Sequence, residues 1–497
     1  MFRNYGRNVL PHKPSLKRTT IVGPALASLC LAMVLVSSAI AQSAPDSWNR
    51  PWCSSEEQQF VREAAAEHIQ ELTDNPLKTY SLAELIDMAE SNNPETRVAW
   101  EHARSQAATF GVARSELYPT LAAAAWSRTR REEIYFANRF YGQTTQDFEI
   151  ALNLSYTVFD FGARRGRINA ARAQLLAANF AFNDTHRNVI YQVEQSYYRL
   201  LSSMGQEDAA RASLANAVTV QEAAEDRLTH GLATLPDVLE ARSTTAQAEY
   251  DLQSVLGAEA IARGDLATAV GDRASLMIKV QPLDQLPMPD SISDSVDGAI
   301  DRALSQRPDL MQQVAEIRSA TARVQEAHSA YYPALNFHAS PAGQSLYGIQ
   351  SPYDWKHTTD LVGGLSFNLS WTIFDGGARK NRLLQARANV HEAEAQAEVQ
   401  RNQIADEVWT AYSNLITALR QRQAAVALLA AASQSYDAAL QSYNYGVRSL
   451  LDVTAAQRTL AQARSADVFA RAQVLTSFAD LAFRTGDSIQ SSKRSQP

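Results

Sequence analysis

The chain has 497 residues, 45% of them hydrophobic and 20% charged, with a formal net charge of −7 at pH 7. Residues 1–41 contain five basic and no acidic residues, so the remainder alone carries −12. That balance excludes a general nucleic-acid binder, which needs a basic face to meet phosphates.

At the N-terminus, Lys13, Lys17 and Arg18 precede the apolar run Ile21–Val36, and Ala39-Ile40-Ala41 supplies a small-residue cleavage pattern. The spacing predicts a secretory signal peptide over 1–41. The run contains Gly23 and Pro24 and falls short of the ~20 residues a spanning helix needs. Cys30 leaves with it, and Cys53 then stands alone with no disulfide partner. Leu29 and Trp52, not small residues, precede these cysteines, which argues against lipid attachment. Residues 42–80 form an extension with a helical pattern at 55–72, for which the sequence assigns no role.

From Ser81 onward the pattern occurs in duplicate. Ser81-Leu82 through Asn93-Pro94 returns as Ser295-Val296 through Arg307-Pro308, and Tyr118-Pro119-Thr120-Leu121 as Tyr332-Pro333-Ala334-Leu335. The segment from Ser155 to Asp160 returns from Ser370 to Asp375, a shift of 215 residues. Solenoid units run only about 20–50 residues, so these are domain-sized copies. They span 81–271 and 295–486, joined by a linker at 272–294 that holds Pro282, Pro287 and Pro289. A tail follows at 487–497.

In each copy a helix ends at the Tyr-Pro, because the residue before proline leaves the helical region. A short strand is expected at 121–127 and 335–340, then polar, aromatic-rich loops at 129–146 and 342–359. Phe148, Ile150, Leu152, Leu154, Tyr156 and Val158 then alternate with small or polar residues, as do Leu365, Phe367, Leu369, Trp371 and Ile373. Period two predicts strands at 148–158 and 365–373 with one apolar face. Their length is close to the roughly 9–11 residues that cross a bilayer when tilted. Tyr156 and Trp371 sit near the strand ends, where membrane barrels carry aromatic girdles. These features predict an outer-membrane barrel with Ile150, Leu152, Leu154, Leu365, Phe367 and Leu369 facing lipid.

Four strands per chain cannot close, and an open edge in lipid leaves backbone groups unpaired. Two chains would give eight strands, whose interior is filled or holds one small ligand. Three chains give twelve, the first count here with an open lumen. A homotrimer is therefore expected.

Val158-Phe159-Asp160-Phe161-Gly162 contains the Asp-Phe-Gly of a kinase metal site, but Phe374-Asp375-Gly376-Gly377 discards the Phe. No kinase catalytic loop accompanies either. The expected role is a strand-to-helix switch, with Asp160 and Asp375 capping the helix and Gly162 and Gly377 releasing the backbone. No Gly or Pro occurs from Ala378 to Tyr445, and Leu383, Val390, Ala397, Ile404 and Ala411 recur every seven residues. That predicts a helix of roughly 100 Å facing a partner helix. The first copy does the same from Ala163 to Thr229, tolerating Gly166 and Gly205. Each long helix turns back at Gly231 or Gly446, where a tight turn demands positive φ.

No nucleophile elbow, phosphate loop, paired-histidine zinc motif or Cys-x-x-Cys occurs, so neither enzyme chemistry nor a cofactor or metal is expected. The chemistry concentrates at the turns. Asp237 follows Gly231 by six residues, Asp452 follows Gly446 by six, and Tyr443 and Arg448 flank the second turn. Two readings stand open: ordinary helix capping, or a gate that closes the distal end of a tube with charged rings and cross-hairpin pairs.

In order and in both copies, these pieces resemble the TolC family of trimeric outer-membrane efflux ducts. The most specific carriers are Arg227-Leu228-Thr229-His230-Gly231-Leu232 with Asp237-Val238, and Tyr443-Asn444-Tyr445-Gly446-Val447-Arg448 with Asp452-Val453. The resemblance implies an α+β membrane protein, a twelve-stranded barrel continued by a periplasmic α-barrel, and an equatorial belt near the linker. It implies that a periplasmic adaptor meets the turns at Gly231, Leu232, Gly446 and Val447, and that an inner-membrane pump or ABC transporter drives export. It also implies tip closure by Arg448 paired to Asp237, with Tyr443 a neighbouring donor and Asp452 an acidic ring. Pro236 and Ala455 depart from that pattern. The leading expectation is a passive exit duct for solutes; a type I protein-secretion duct and a structural periplasmic coiled coil are the alternatives.

Overall fold

The computed structural model describes residues 78–273, 278–288, 295–350 and 355–487. The expected signal peptide, the 55–72 pattern, Cys53 and the chain beyond 487 lie outside them. In chain order the elements are β1 (Thr79–Tyr80), α1 (Leu82–Asn92), α2 (Pro94–Ser115), β2 (Thr120–Phe136), β3 (Arg139–Phe159), α3 (Ala163–Thr229) and α4 (Leu235–Val270). Then come β4 (Lys279–Val280), a 3₁₀ turn (Leu283–Gln285), α5 (Val296–Gln306), α6 (Pro308–Ser329), β5 (Ala334–Ala339) and β6 (Ala342–Gln350). The last are β7 (Lys356–Val362), β8 (Leu365–Ser370), α7 (Ala378–Asn444) and α8 (Leu450–Thr485). The four helices of one half match those of the other in length, at 11, 22, 67 and 36 residues.

The long helices α3 and α7 have no continuous aliphatic stripe; most of what α3 buries near its start is alanine, at Ala170, Ala171, Ala173, Ala177 and Ala178. Small residues let helices approach closely along their whole length. Toward the turns the helices lie side by side in the order α4-α3-α8-α7, and toward the sheet in the order α2-α3-α6-α7. Each short helix of the second set continues one of the first. Asn93, the N-cap of α2, donates from Nδ2 to the Ala269 carbonyl at the end of α4 (3.1 Å). A Cβ on Gly271 would come within 2.9 Å of Asn92. Gly486, which ends α8, likewise abuts Gln306 and Arg307 ahead of α6. Each long helix thus runs beside two shorter ones placed end to end.

At these joints the side helices α1 and α5 and the linker form a belt. Leu85 and Ala89 of α1 pack with Val189, Val193 and Leu200 of α3, Leu266 of α4, and Ile278 of the linker. Strand β1 pairs in parallel with β4. On the other side Arg307 is buried against Asp309 (Nη2–Oδ2 2.6 Å) and Glu407 (2.7 Å). Burial pushes the Asp309 carboxyl up, but the Arg307 hydrogen bonds and charge outweigh it and hold it below the usual carboxylate value.

The sheet runs β2-β3, then β5 and β6 end to end, then β8 and β7 end to end. Ser340-Pro341 and Gly363-Gly364 break the second pair. The ladder bridges the breaks through Leu152 N–H to the Pro341 carbonyl (2.9 Å) and Ser340 N–H to the Gly364 carbonyl (3.0 Å). Two expectations are corrected here. The segments 129–146 and 342–359 are not simply loops: β2 and β3 pair to the end of a hairpin whose turn residues, Ala137 and Asn138, have φ of 49° and 67°. Paired backbones need no hydrophobic contrast to extend, so the strands outrun the apolar band. The strand expected at 365–373 stops at Ser370, and the Trp371 indole N–H bonds the Tyr331 carbonyl instead (3.1 Å).

Candidate functional site

Register sorts the sheet's side chains into two faces, since directly paired residues point the same way. Leu121 pairs with Leu154, Ala123 with Leu152, Ala125 with Ile150, and Leu154 with Ala339. Ala339 pairs with Leu365, Phe337 with Phe367, and Leu335 with Leu369. Ile150, Leu152, Leu154, Leu365, Phe367 and Leu369 therefore lie on one apolar face. Phe337 and Phe367 meet there at 5.0 Å between ring centres. All six are exposed except Leu154, which is half-buried. The opposite face carries Thr120, Asn153, Ser155, Thr157, Asn336, Ser366 and Asn368. Its hydroxyls bond one another, as in Thr120–Ser155 (2.6 Å), and Thr157 donates to Asn336 (2.9 Å).

At the junctions, Asp160 accepts from the N–H of Gly162 (3.2 Å) and of Arg164 (2.8 Å), and Asp375 from Gly377 (3.1 Å) and Arg379 (2.9 Å). Both glycines are left-handed, with φ of 97° and 89°. The aspartates therefore cap their helices from two residues outside. Arg164 and Arg379, which sequence reasoning passed over, return a side-chain bond to the same carboxylates (3.2 and 3.0 Å). The signal was present as a repeated Asp-x-Gly-Ala-Arg.

The distal turns are built alike. Gly231 and Gly446 have φ of 69° and 75°. Leu232 N–H bonds the Arg227 carbonyl (2.7 Å) and Val447 N–H the Ser442 carbonyl (2.9 Å), closing the helix ends as glycine-based C-caps do. This leaves Leu232 and Val447 outside, exposed at the apex. Asp237 accepts from the Thr234 N–H (2.9 Å) and hydroxyl (2.7 Å), and Asp452 from those of Ser449 (3.2 and 3.0 Å). The Thr234 hydroxyl bond, then its N–H, draws the Asp237 carboxyl below its ordinary value.

The cross-hairpin pair expected between Arg448 and Asp237 does not form within the chain. Asp237 is engaged by its own cap, and Arg448 is exposed with no ion pair among the described residues. Tyr443 is not a donor here either: it is buried, and its hydroxyl has no hydrogen-bond partner among the described residues. The cations that cross between hairpins near the turns include Arg458, whose Nη2 donates to Glu240 (3.2 Å), and, closest to the apex, Arg227. Its Nη1 donates to the Tyr443 carbonyl (2.7 Å) and the Asn444 carbonyl (3.2 Å), and its guanidinium lies 4.7 Å from the Tyr443 ring centre. Beneath the turns, Val220, Ala224, Val238, Ala439, Tyr443 and Val453 form a shared core.

A two-faced sheet of long strands, carried on helices of about 100 Å, defines the class: a channel subunit of the outer membrane. The chain belongs to the outer membrane efflux protein family, whose profile matches residues 85–272 and 299–487. It is 27% identical over 408 residues to Protein CyaE of Bordetella pertussis, covering 80% of this chain and 82% of that one. It is 26% identical over 434 residues to the pyoverdine export outer membrane protein OpmQ of Pseudomonas aeruginosa, covering 83% and 86%. Its fold is similar to that of the outer-membrane channel OprN, with a TM-score of 0.72 at 20% identity over 82% of this chain and 89% of that one.

Proposed function

We propose that three copies of this chain close a twelve-stranded barrel and form the exit duct of a tripartite efflux system. A periplasmic adaptor would meet the turns at Gly231, Leu232, Gly446 and Val447, and an inner-membrane pump would supply the driving force. The role is passive conduction, with no chemical step. The observation that carries this reading is the register of the sheet. It gives one face to lipid and one hydroxyl- and amide-lined face to a lumen, while leaving β2 at one edge and β7–β8 at the other in need of partners. The capped, glycine-ended turns are the natural distal end of the duct, and the residues around Tyr443, Arg448, Asp237 and Asp452 form its closure. The Arg448 side chain is exposed with no ion pair among the described residues, which supports a role for it toward a neighbouring copy.

The test is expression of the full chain in a cell lacking its outer-membrane efflux protein. Restored export, with a heat-modifiable trimer in outer-membrane extracts, is the expected result. A chain that inserts as a monomer, or a trimer that restores no export, would overturn the reading.

A further inference from the structure

Helix α7 ends with an incomplete set of partners. It carries no basic residue in its last turn, although its terminal carbonyls hold the negative end of a 67-residue helix. The missing cation comes from the other hairpin. Arg227 sits in the last turn of α3, yet its guanidinium reaches across to the Tyr443 and Asn444 carbonyls and lies over the Tyr443 ring, 4.7 Å from its centre. The residue is half-buried and its Nε is enclosed with no hydrogen-bond partner among the described residues. A side chain that gives up a hydrogen bond at Nε to make these contacts is fixed in place. A Cβ added to Gly446 would lie 3.7 Å from Arg227 Nη2, so the guanidinium also fills the space beneath the second turn.

We propose that Arg227 is a positioning residue that latches the second turn to the first, so that the second hairpin cannot swing while the guanidinium holds the end of α7. This rests on the reading of the turns as the closure of the duct. Its consequence is that opening requires the Arg227 contacts to break, and the exposed Leu232 and Val447 flanking them are where a partner's approach would disturb them. Arg is better suited to this than Lys: one nitrogen, Nη1, bonds both carbonyls while the planar guanidinium lies over the ring, a contact that a compact ammonium makes less well.

The test uses the purified full chain in detergent. Amide exchange is followed at Tyr445, Gly446 and Val447, whose N–H groups close the second turn onto Gln441, Tyr443 and Ser442. In Arg227→Met, these amides should exchange about tenfold faster, the scale of losing charge-assisted hydrogen bonds. The amides of Gly231 and Leu232, bonded within the first turn, should keep their protection. Arg227→Lys should fall between. Unchanged exchange at 445–447, or equal loosening of both turns, overturns the latch whatever the channel does. Single-channel conductance of the same variants then addresses the closure separately. Raised conductance in Arg227→Met supports both ideas. Faster exchange with wild-type conductance keeps the latch and overturns the reading of the turns as a gate.

Discussion

Two kinds of side chain carry the structure's local decisions: those that cap a chain reversal and those that reach across to another element. Asp160 is of the first kind. Its carboxylate satisfies two N–H groups at the start of α3 and holds Arg164 in a largely buried pair. Asp160→Ala should cost ~1–2 kcal/mol, the usual range for a lost cap, read as a lower denaturation midpoint in detergent. Glu194 is set differently. It lies on α3 beside the belt core, and burial alone pushes its carboxyl up to about 7. A raised value favours the protonated form in the folded chain. Its stability is therefore present below the unfolded carboxylate value and lost as pH rises through about 7. Glu194→Gln should stabilise the fold at pH 8 by on the order of 1–2 kcal/mol after allowing for partial exposure, read as a higher melting temperature, and change little at pH 5. Equal effects at both pH values would sink this account. Capping residues were legible because they act within a few positions of themselves. Arg227 lay inside a quoted motif but was not singled out, since its partners are more than two hundred positions away and nothing local marks it.

At the scale of elements, the scarcity of Gly and Pro foretold the long helices to within a residue, Ala163–Thr229, which tolerates Gly166 and Gly205, and Ala378–Asn444, which contains neither Gly nor Pro. The strands were legible only where one face is apolar and the other polar. Along β2, Arg128, Thr129, Arg130, Arg131, Glu132 and Glu133 alternate between faces without changing polarity, so period two disappears from the sequence while the ladder to β3 continues. The joints between stacked helices were signalled by Asn93-Pro94 and Arg307-Pro308 but could not be read as joints, because the helix each continues comes later in the chain. The turns make a sharp prediction. Gly446→Val puts a β-branched residue at φ 75°, a strain of roughly 1–3 kcal/mol. The barrel strands are remote from it, so the variant should still insert and form trimers while export fails. Full export, with an adaptor still crosslinking to the turn, would show that this turn is not the docking point.

For the whole molecule, the decisive quantity is what the edges of the sheet do. A four-stranded sheet with an apolar face cannot stand alone in a bilayer, because β2 and β7–β8 would each offer unpaired backbone groups to hydrocarbon. Closure by copies of the same chain would pair those edges and turn the polar face inward, so the inside–outside assignment and the proposed oligomer stand or fall together. Adjacent positions on β3 separate the alternatives. Leu152 pairs with Ala123 on the apolar face and Asn153 with Ala122 on the other. Leu152→Arg near mid-bilayer should cost about 2–4 kcal/mol per site. With three sites in one barrel, this should abolish the heat-modifiable trimer in membrane extracts. Asn153→Arg introduces the same side chain one residue away. It should leave assembly intact and instead change conductance and ion selectivity, because its three copies would line the lumen. Loss of the trimer in Asn153→Arg alongside normal assembly of Leu152→Arg would reverse the two faces. The hydroxyl-lined surface would then meet something other than a water-filled channel.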